Sequence, residues 1–167
     1  MNLLEIEVWL HVMAGITWIG LLYYFNFIQV PAMAAALADK DGPGPAAIAK
    51  YIAPRALLWF RWSALVTWLT GAGALEGVGV GFINAFTLNG DVSTVIIGLG
   101  AWMGTIMLFN VWVLIWPNQK KILGMVEASD AEKAKAKAIA FAASRTNTLL
   151  SIPMLMCMTG FAHGLPF

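Results

Sequence analysis

Four long runs of apolar residues, separated by three shorter polar intervals, set the pattern of this chain. They cover roughly residues 3–30, 56–80, 92–116 and 139–162. A helix needs about 20 mostly apolar residues to cross a bilayer, and each run reaches that length. Pro31 and Pro117 end the first and third runs, and Pro153 predicts a kink inside the fourth. The first interval contains "KDGPGP", a turn-rich break. In the third, Ser129 and Glu132 have the spacing of a capping box. This predicts a helix that starts near Asp130 and runs without interruption into the fourth span.

Charge adds an orientation. Lys40, Lys50 and Arg55 lie in the first interval. Lys120, Lys121, Lys133, Lys135, Lys137 and Arg145 lie in the third and in the start of the fourth run. The second interval, "GFINAFTLNGD", has no Lys or Arg, and the N-terminus offers only Glu5 and Glu7. The positive-inside rule then puts the first and third loops in the cytoplasm. The expected fold is all-α: one integral membrane domain over residues 1–167, an up-down-up-down four-helix bundle with both termini on the outer, periplasmic side. A bacterial inner membrane is the expected location. No basic segment precedes the first run and no small-residue cleavage site follows it, so it reads as a retained span. Trp59, Trp62, Trp112 and Trp116 fall near cytoplasmic ends, where aromatic belts form. No internal repeat, linker or low-complexity tail is read.

Composition supports the membrane reading. The chain is 60% hydrophobic and 11% charged, against roughly 25% charged residues in soluble domains. A net charge of +1 leaves no basic footprint for nucleic acid. Cys157 is the only cysteine, so an internal disulfide and CxxC-type sites are excluded. Its apolar setting predicts a small buried residue.

Only two histidines occur, one near each end. In an up-down-up-down bundle the start of helix one and the end of helix four meet the same interface. His11 and His163 then fall at similar depth, within about 10–15 Å of the outer boundary at 1.5 Å per residue. Small residues share their helix faces: Ala14 and Gly15 after His11, Thr159 and Gly160 before His163. A flat macrocycle between two imidazoles needs such clearance. The reading is one b-type haem with His11 and His163 as axial ligands to the iron. Zinc and copper fit less well, because two histidines leave their usual coordination short. Gly73/Gly77 and Gly100/Gly104 have GxxxG spacing for close helix approach. Glu76 is the only acid inside an expected span, placed to orient an imidazole, meet a haem propionate or relay protons. Glu7, one turn before His11, is a second orienting carboxylate.

Polar residues also gather at the cytoplasmic ends of the runs: Asn26, Gln29, Arg55, Arg61, Asn110, Asn118, Gln119, Lys120, Arg145 and Asn147. Of these Arg61, Asn110, Asn118, Gln119, Arg145 and Asn147 form the candidate pocket for a planar polar molecule, a quinone head or lipid phosphates. Ordinary helix-end satisfaction and snorkelling account for the same residues.

The stretches "HVMAGITWIGLLYYFNFIQVP", "WFRWSALVTWLTG", "GTIMLFNVWVLIWPNQKK" and "SRTNTLLSIPMLMCMTGFAHGLP" resemble, in order and spacing, the membrane domain of the bacterial cytochrome c-linked urate hydroxylases. A fainter likeness, mainly in helix one, is to the four-helix, haem-binding protoporphyrinogen oxidases. The resemblance implies an integral membrane redox protein that works with a c-type cytochrome. It matches His11, His163, Asn118, Gln119, Arg145 and Asn147 to family positions. Gly98 and Thr146 stand where the family has histidines, the family's membrane domain is longer, and this chain carries no CxxCH. The combined expectation is a haem b electron-transfer protein or small redox subunit of a larger membrane complex. Its partners would be lipid, other subunits or a c-type cytochrome. Two other readings stay open: a membrane-bound urate-oxidising enzyme, and a haem-free accessory subunit.

Overall fold

The structure, a computed structural model, describes residues 2–165. Among these the chain is all helical, without a strand. α1 (Leu3–Tyr23), a π-helical segment (Tyr24–Gln29) and α2 (Val30–Ala38) form one continuous rod. A second π segment (Ile48–Ile52) leads into α3 (Ala53–Gly77). The short α4 (Phe82–Thr87), within an interval expected to be loop, precedes α5 (Val92–Phe109). A third π segment (Asn110–Ile115) carries α5 into α6 (Trp116–Ile122). α7 (Asp130–His163) begins at the expected capping box, with Ser129 and Glu132 bonded reciprocally, and is unbroken.

Pro31 and Pro117 therefore do not end their helices. Together with Pro54 they stand second in a helix that follows a π segment. The N–H just before each proline reaches back one residue further than in an α-helix: Val30 to Phe25, Ala53 to Ile48, Trp116 to Val111. That wider turn relieves the clash of the pyrrolidine ring with the preceding carbonyls. Pro153 lies inside α7, which continues past it.

α1 packs chiefly on α3, and α5 on α7. In the first pair Leu4, Glu7 and His11, one helical row, lie against Gly77, Gly73 and Gly71. In the second, small α7 residues (Ala136, Ala140, Ala143) are buried, and Gly100 lies against Cys157 and the Met154 carbonyl. Cys157 is itself half-buried. A central apolar cluster joins the pairs through residues such as Leu22, Phe60, Ala64, Met107 and Val111, each nearly inaccessible. A smaller cluster of Leu75, Ala85 and Ile97 closes the α4 end.

The halves also share a plan. Each has a rod with a π segment and a proline, followed by a partner helix. At one constant separation along the chain, Gly20 matches Gly104, Phe25 matches Phe109 and Asn26 matches Asn110. At the same separation Arg61 matches Arg145, Ser63 matches Asn147 and Thr67 matches Ser151.

Two rods, Leu3–Ala38 and Val92–Ile122, are long and apolar enough to cross a membrane. Only 17% and 28% of their most apolar windows are buried. The core helix of a soluble protein would be mostly covered.

Candidate functional site

His11 is half-buried on α1, and its ring lies against α3. Its Nδ1 lies 2.8 Å from the Thr67 carbonyl oxygen. A carbonyl only accepts, so this bond requires a proton on Nδ1, and in the neutral imidazole the lone pair is then on Nε2. Backbone hydrogen bonding of one ring nitrogen is the arrangement that fixes the tautomer and orientation of a metal-ligating histidine. Gly71 makes room for the ring: a Cβ there would stand 2.8 Å from it.

His163 ends α7 and is exposed. Two cross-links set its level relative to His11. The Tyr23 hydroxyl meets Ser151 Oγ at 3.0 Å, and Asn26 Nδ2 donates to Ser144 Oγ at 2.8 Å. The α7 partner moves backward as the α1 residue moves forward, so the two helices are antiparallel. His11 precedes Tyr23 by as many residues as His163 follows Ser151. Equal helical rise then carries the two histidines to one level along the bundle.

The small-residue clearance is not open space. A Cβ on Gly15 would meet Thr67 at 3.7 Å, so this face packs on α3. Gly160 is buried, and the position of its missing Cβ is taken by Leu165 and Ile96. Glu76 is exposed near the end of α3, and its Oε1 accepts the Phe82 N–H at 2.7 Å. It closes the connection to α4 rather than orienting an imidazole. Glu7 lies over Gly73 on the His11 row. Among the described residues no group of three or more His, Cys, Asp or Glu could hold a metal ion. Ligation by two histidines needs no such group. The pair supplies two imidazoles at one level that would hold a haem iron, while Gly15 and Gly160 supply no clearance for the macrocycle.

The expected cytoplasmic pocket does not form as one site. Asn110 Nδ2 donates to Asn147 Oδ1 at 2.8 Å, and Asn147 Nδ2 donates to the Met107 carbonyl at 3.0 Å. Both asparagines are buried and tie α5 to α7. Arg61 stacks on Trp116, 3.8 Å from the ring centroid. Arg145 is exposed over Phe141. Asn118 donates to the Leu114 carbonyl of its own helix, and Gln119 is half-buried. These amides and guanidinium groups satisfy helix ends and helix pairs.

Residues missed in the sequence complete this polar layer: Tyr23, Ser144 and Ser151, with Thr67 as the carbonyl partner of His11. Tyr23 and Ser144, opposite Met107 and Phe60 at the constant separation between the halves, carried no such signal; for Thr67 and Ser151 that separation was the signal. It places Ser63 with Asn147 and Thr67 with Ser151 on buried faces.

Residues 82–166 match the family described as urate oxidase N-terminal, just over half of the chain. The chain belongs to this family. No curated protein and no solved structure matches it. The family segment begins with α4 and takes in α5 to α7. Within it Gly98 is explained by packing. A Cβ there would strike the Ala85 carbonyl of α4, so this arrangement has no space for a larger side chain. Thr146 is exposed on α7, beside the buried Asn147.

Proposed function

We propose that this urate oxidase N-terminal family member is a multi-pass protein of the bacterial inner membrane that holds one b-type haem and transfers electrons within a larger complex. In this reading four rods cross the bilayer, both termini face the outer side, and the basic first and third loops face the cytoplasm. His11 and His163 would hold the haem iron. The observation that carries the proposal is the His11–Thr67 bond, which leaves Nε2 free at the level His163 reaches. The bound haem would supply a one-electron couple. The chain's own part is to hold the imidazole tautomer through the Thr67 carbonyl and to seat the ring against Gly71. The nearby apolar exterior excludes water from the buried side. A c-type cytochrome or neighbouring subunit would exchange the electron.

The test is a pyridine haemochrome spectrum with a haem-to-protein ratio on protein made under haem-replete conditions. The expected result is one haem per chain and a low-spin spectrum, lost in His11→Ala and in His163→Ala while both variants still insert. Haem-free wild-type protein would sink the reading and leave the accessory-subunit alternative.

Family membership favours a second reading, a urate-oxidising enzyme. Its substrate site would need the cytoplasmic amides, but Asn110 and Asn147 are spent on each other and on Met107. The expected outcome is no urate-dependent reduction of added cytochrome c by the isolated chain. Sustained turnover abolished by Arg145→Ala would reverse the ranking.

A further inference from the structure

A groove of ≈530 Å³ runs between α1 and the start of α3. Ile16 and Gly20 form one side, and Ala56 and Trp59 the other, with Tyr51 and Arg55 at the edge. It lies apart from the histidines and from the buried polar layer. A Cβ on Gly20 would meet nothing within 4 Å, so the groove is open at its floor. The other half has no counterpart in its side chains. At the matching separation Arg55, Trp59 and Ile16 are replaced by Ile139, Ala143 and Gly100, and Ala143 is buried against the core.

The edge is cationic. Arg55 Nη1 donates to the Tyr51 carbonyl at 2.7 Å. This bond holds the guanidinium at the groove while its other N–H groups remain available. Lys50 Nζ stands 5.2 Å from the centroid of the Tyr51 ring. Neither cation pairs with a carboxylate among the described residues. Trp59 is 66% exposed, a flat amphipathic surface next to the guanidinium. Apolar walls beside the Arg55 guanidinium and an exposed indole match an acyl chain beside a phosphodiester, with Lys50 near the rim through its contact with Tyr51.

We propose that this groove binds an anionic diacyl glycerophospholipid, with its phosphate on Arg55 and one acyl chain along Gly20 and Ala56. The inference rests on the membrane reading above and is independent of haem. The test is native mass spectrometry of protein extracted in mild detergent and offered equimolar phosphatidylglycerol and phosphatidylcholine. Wild type should retain phosphatidylglycerol preferentially. Arg55→Gln should lose the preference, and Gly20→Leu should lose retained lipid of both kinds by filling the groove. Lys135→Gln, which removes an exposed cation of α7 outside the groove, should behave as wild type. Equal retention of the two lipids by wild type overturns the site. So does a Lys135→Gln loss as large as that of Arg55→Gln, which would mean diffuse attraction to charge. A carbonate wash of the membranes separates the failures: release of the protein would sink the membrane reading itself. Retention without lipid preference would sink only the groove.

Discussion

The two halves share one plan and spend their polar groups differently. In the half from α4 to α7, Asn110, Asn147 and the Met107 carbonyl bond to one another in the core. In the half from α1 to α3, Ser63 and Thr67 occupy the positions matching Asn147 and Ser151 and bond back to carbonyls of their own helix. The first rod also carries the two buried side-chain atoms found without partners among the described residues, Trp18 Nε1 and Gln29 Oε1. His11 Nε2 is free there as well. The segment that matches the family model is thus largely a closed scaffold. The uncommitted chemistry lies mostly in the other half.

The sharpest way to break this comparison is to exchange loss for loss at matching positions. Asn147→Leu leaves Asn110 Nδ2 buried without an acceptor, at a cost of about 1–3 kcal/mol. Ser63→Ala removes only a local bond to Phe60 and should cost about 1 kcal/mol or less. Thermal unfolding in one detergent measures both. Equal shifts would mean that the two polar layers are equivalent after all.

Glycine substitutions come next. Gly71→Ala puts a methyl 2.8 Å from the His11 ring, which must move and strain its bond to Thr67. Overpacking of this kind costs about 1–3 kcal/mol, and the haem spectrum should change with it. At Gly104 a Cβ meets nothing within 4 Å. Gly104→Ala should therefore be neutral or stabilise the helix by about 0.5–1 kcal/mol. A Gly104→Ala loss as large as that of Gly71→Ala would show that glycine serves the same role in both halves.

The sequence carried some of this and hid the rest for physical reasons. Long apolar runs and the Ser129–Glu132 box located the rods and the start of α7, because span length and capping are local properties. Pro31 and Pro117 misled, since a π segment absorbs each ring and the helix goes on. Gly15 and Gly160 were read as clearance for a macrocycle, and their faces are instead packed. What fills the space, Thr67 in one case and Leu165 and Ile96 in the other, depends on long-range contacts that spacing alone does not show. Glu76 was expected within a span. α3 ends at Gly77, and the carboxylate serves the turn to α4. Family membership was legible from whole stretches, whereas the division of labour between halves needed the hydrogen bonds.

The smallest effect concerns acid, and it separates α5 and α7 from α3. α5 begins on Asp91, whose Oδ1 accepts from the Thr94 N–H at 2.8 Å and from its hydroxyl at 2.7 Å. These bonds, the backbone one foremost, hold Asp91 below its ordinary pKa of 3.8. At the start of α7 the Ser129 N–H, then the Ser129 hydroxyl, then the charge of Lys121 hold Glu132 below 4.5. α3 follows its π segment with no side-chain cap. A depressed folded pKa means that the cap's contribution is complete above the unfolded value and is lost as pH falls through the folded one. Both carboxylates are fully exposed, so the effect should be confined to the first turns of their helices. Amide hydrogen exchange, corrected for intrinsic rates, should show the first turns of α5 and α7 losing protection as the pH drops below those ordinary values. The first turn of α3 should stay unchanged. Asp91→Asn keeps an acceptor at the cap and cannot be protonated in this range, so it should flatten the response at α5 and leave that at α7 intact. If α3 frays over the same pH range, acid is loosening the whole bundle, and the carboxylate caps are not what distinguishes α5 and α7 from α3.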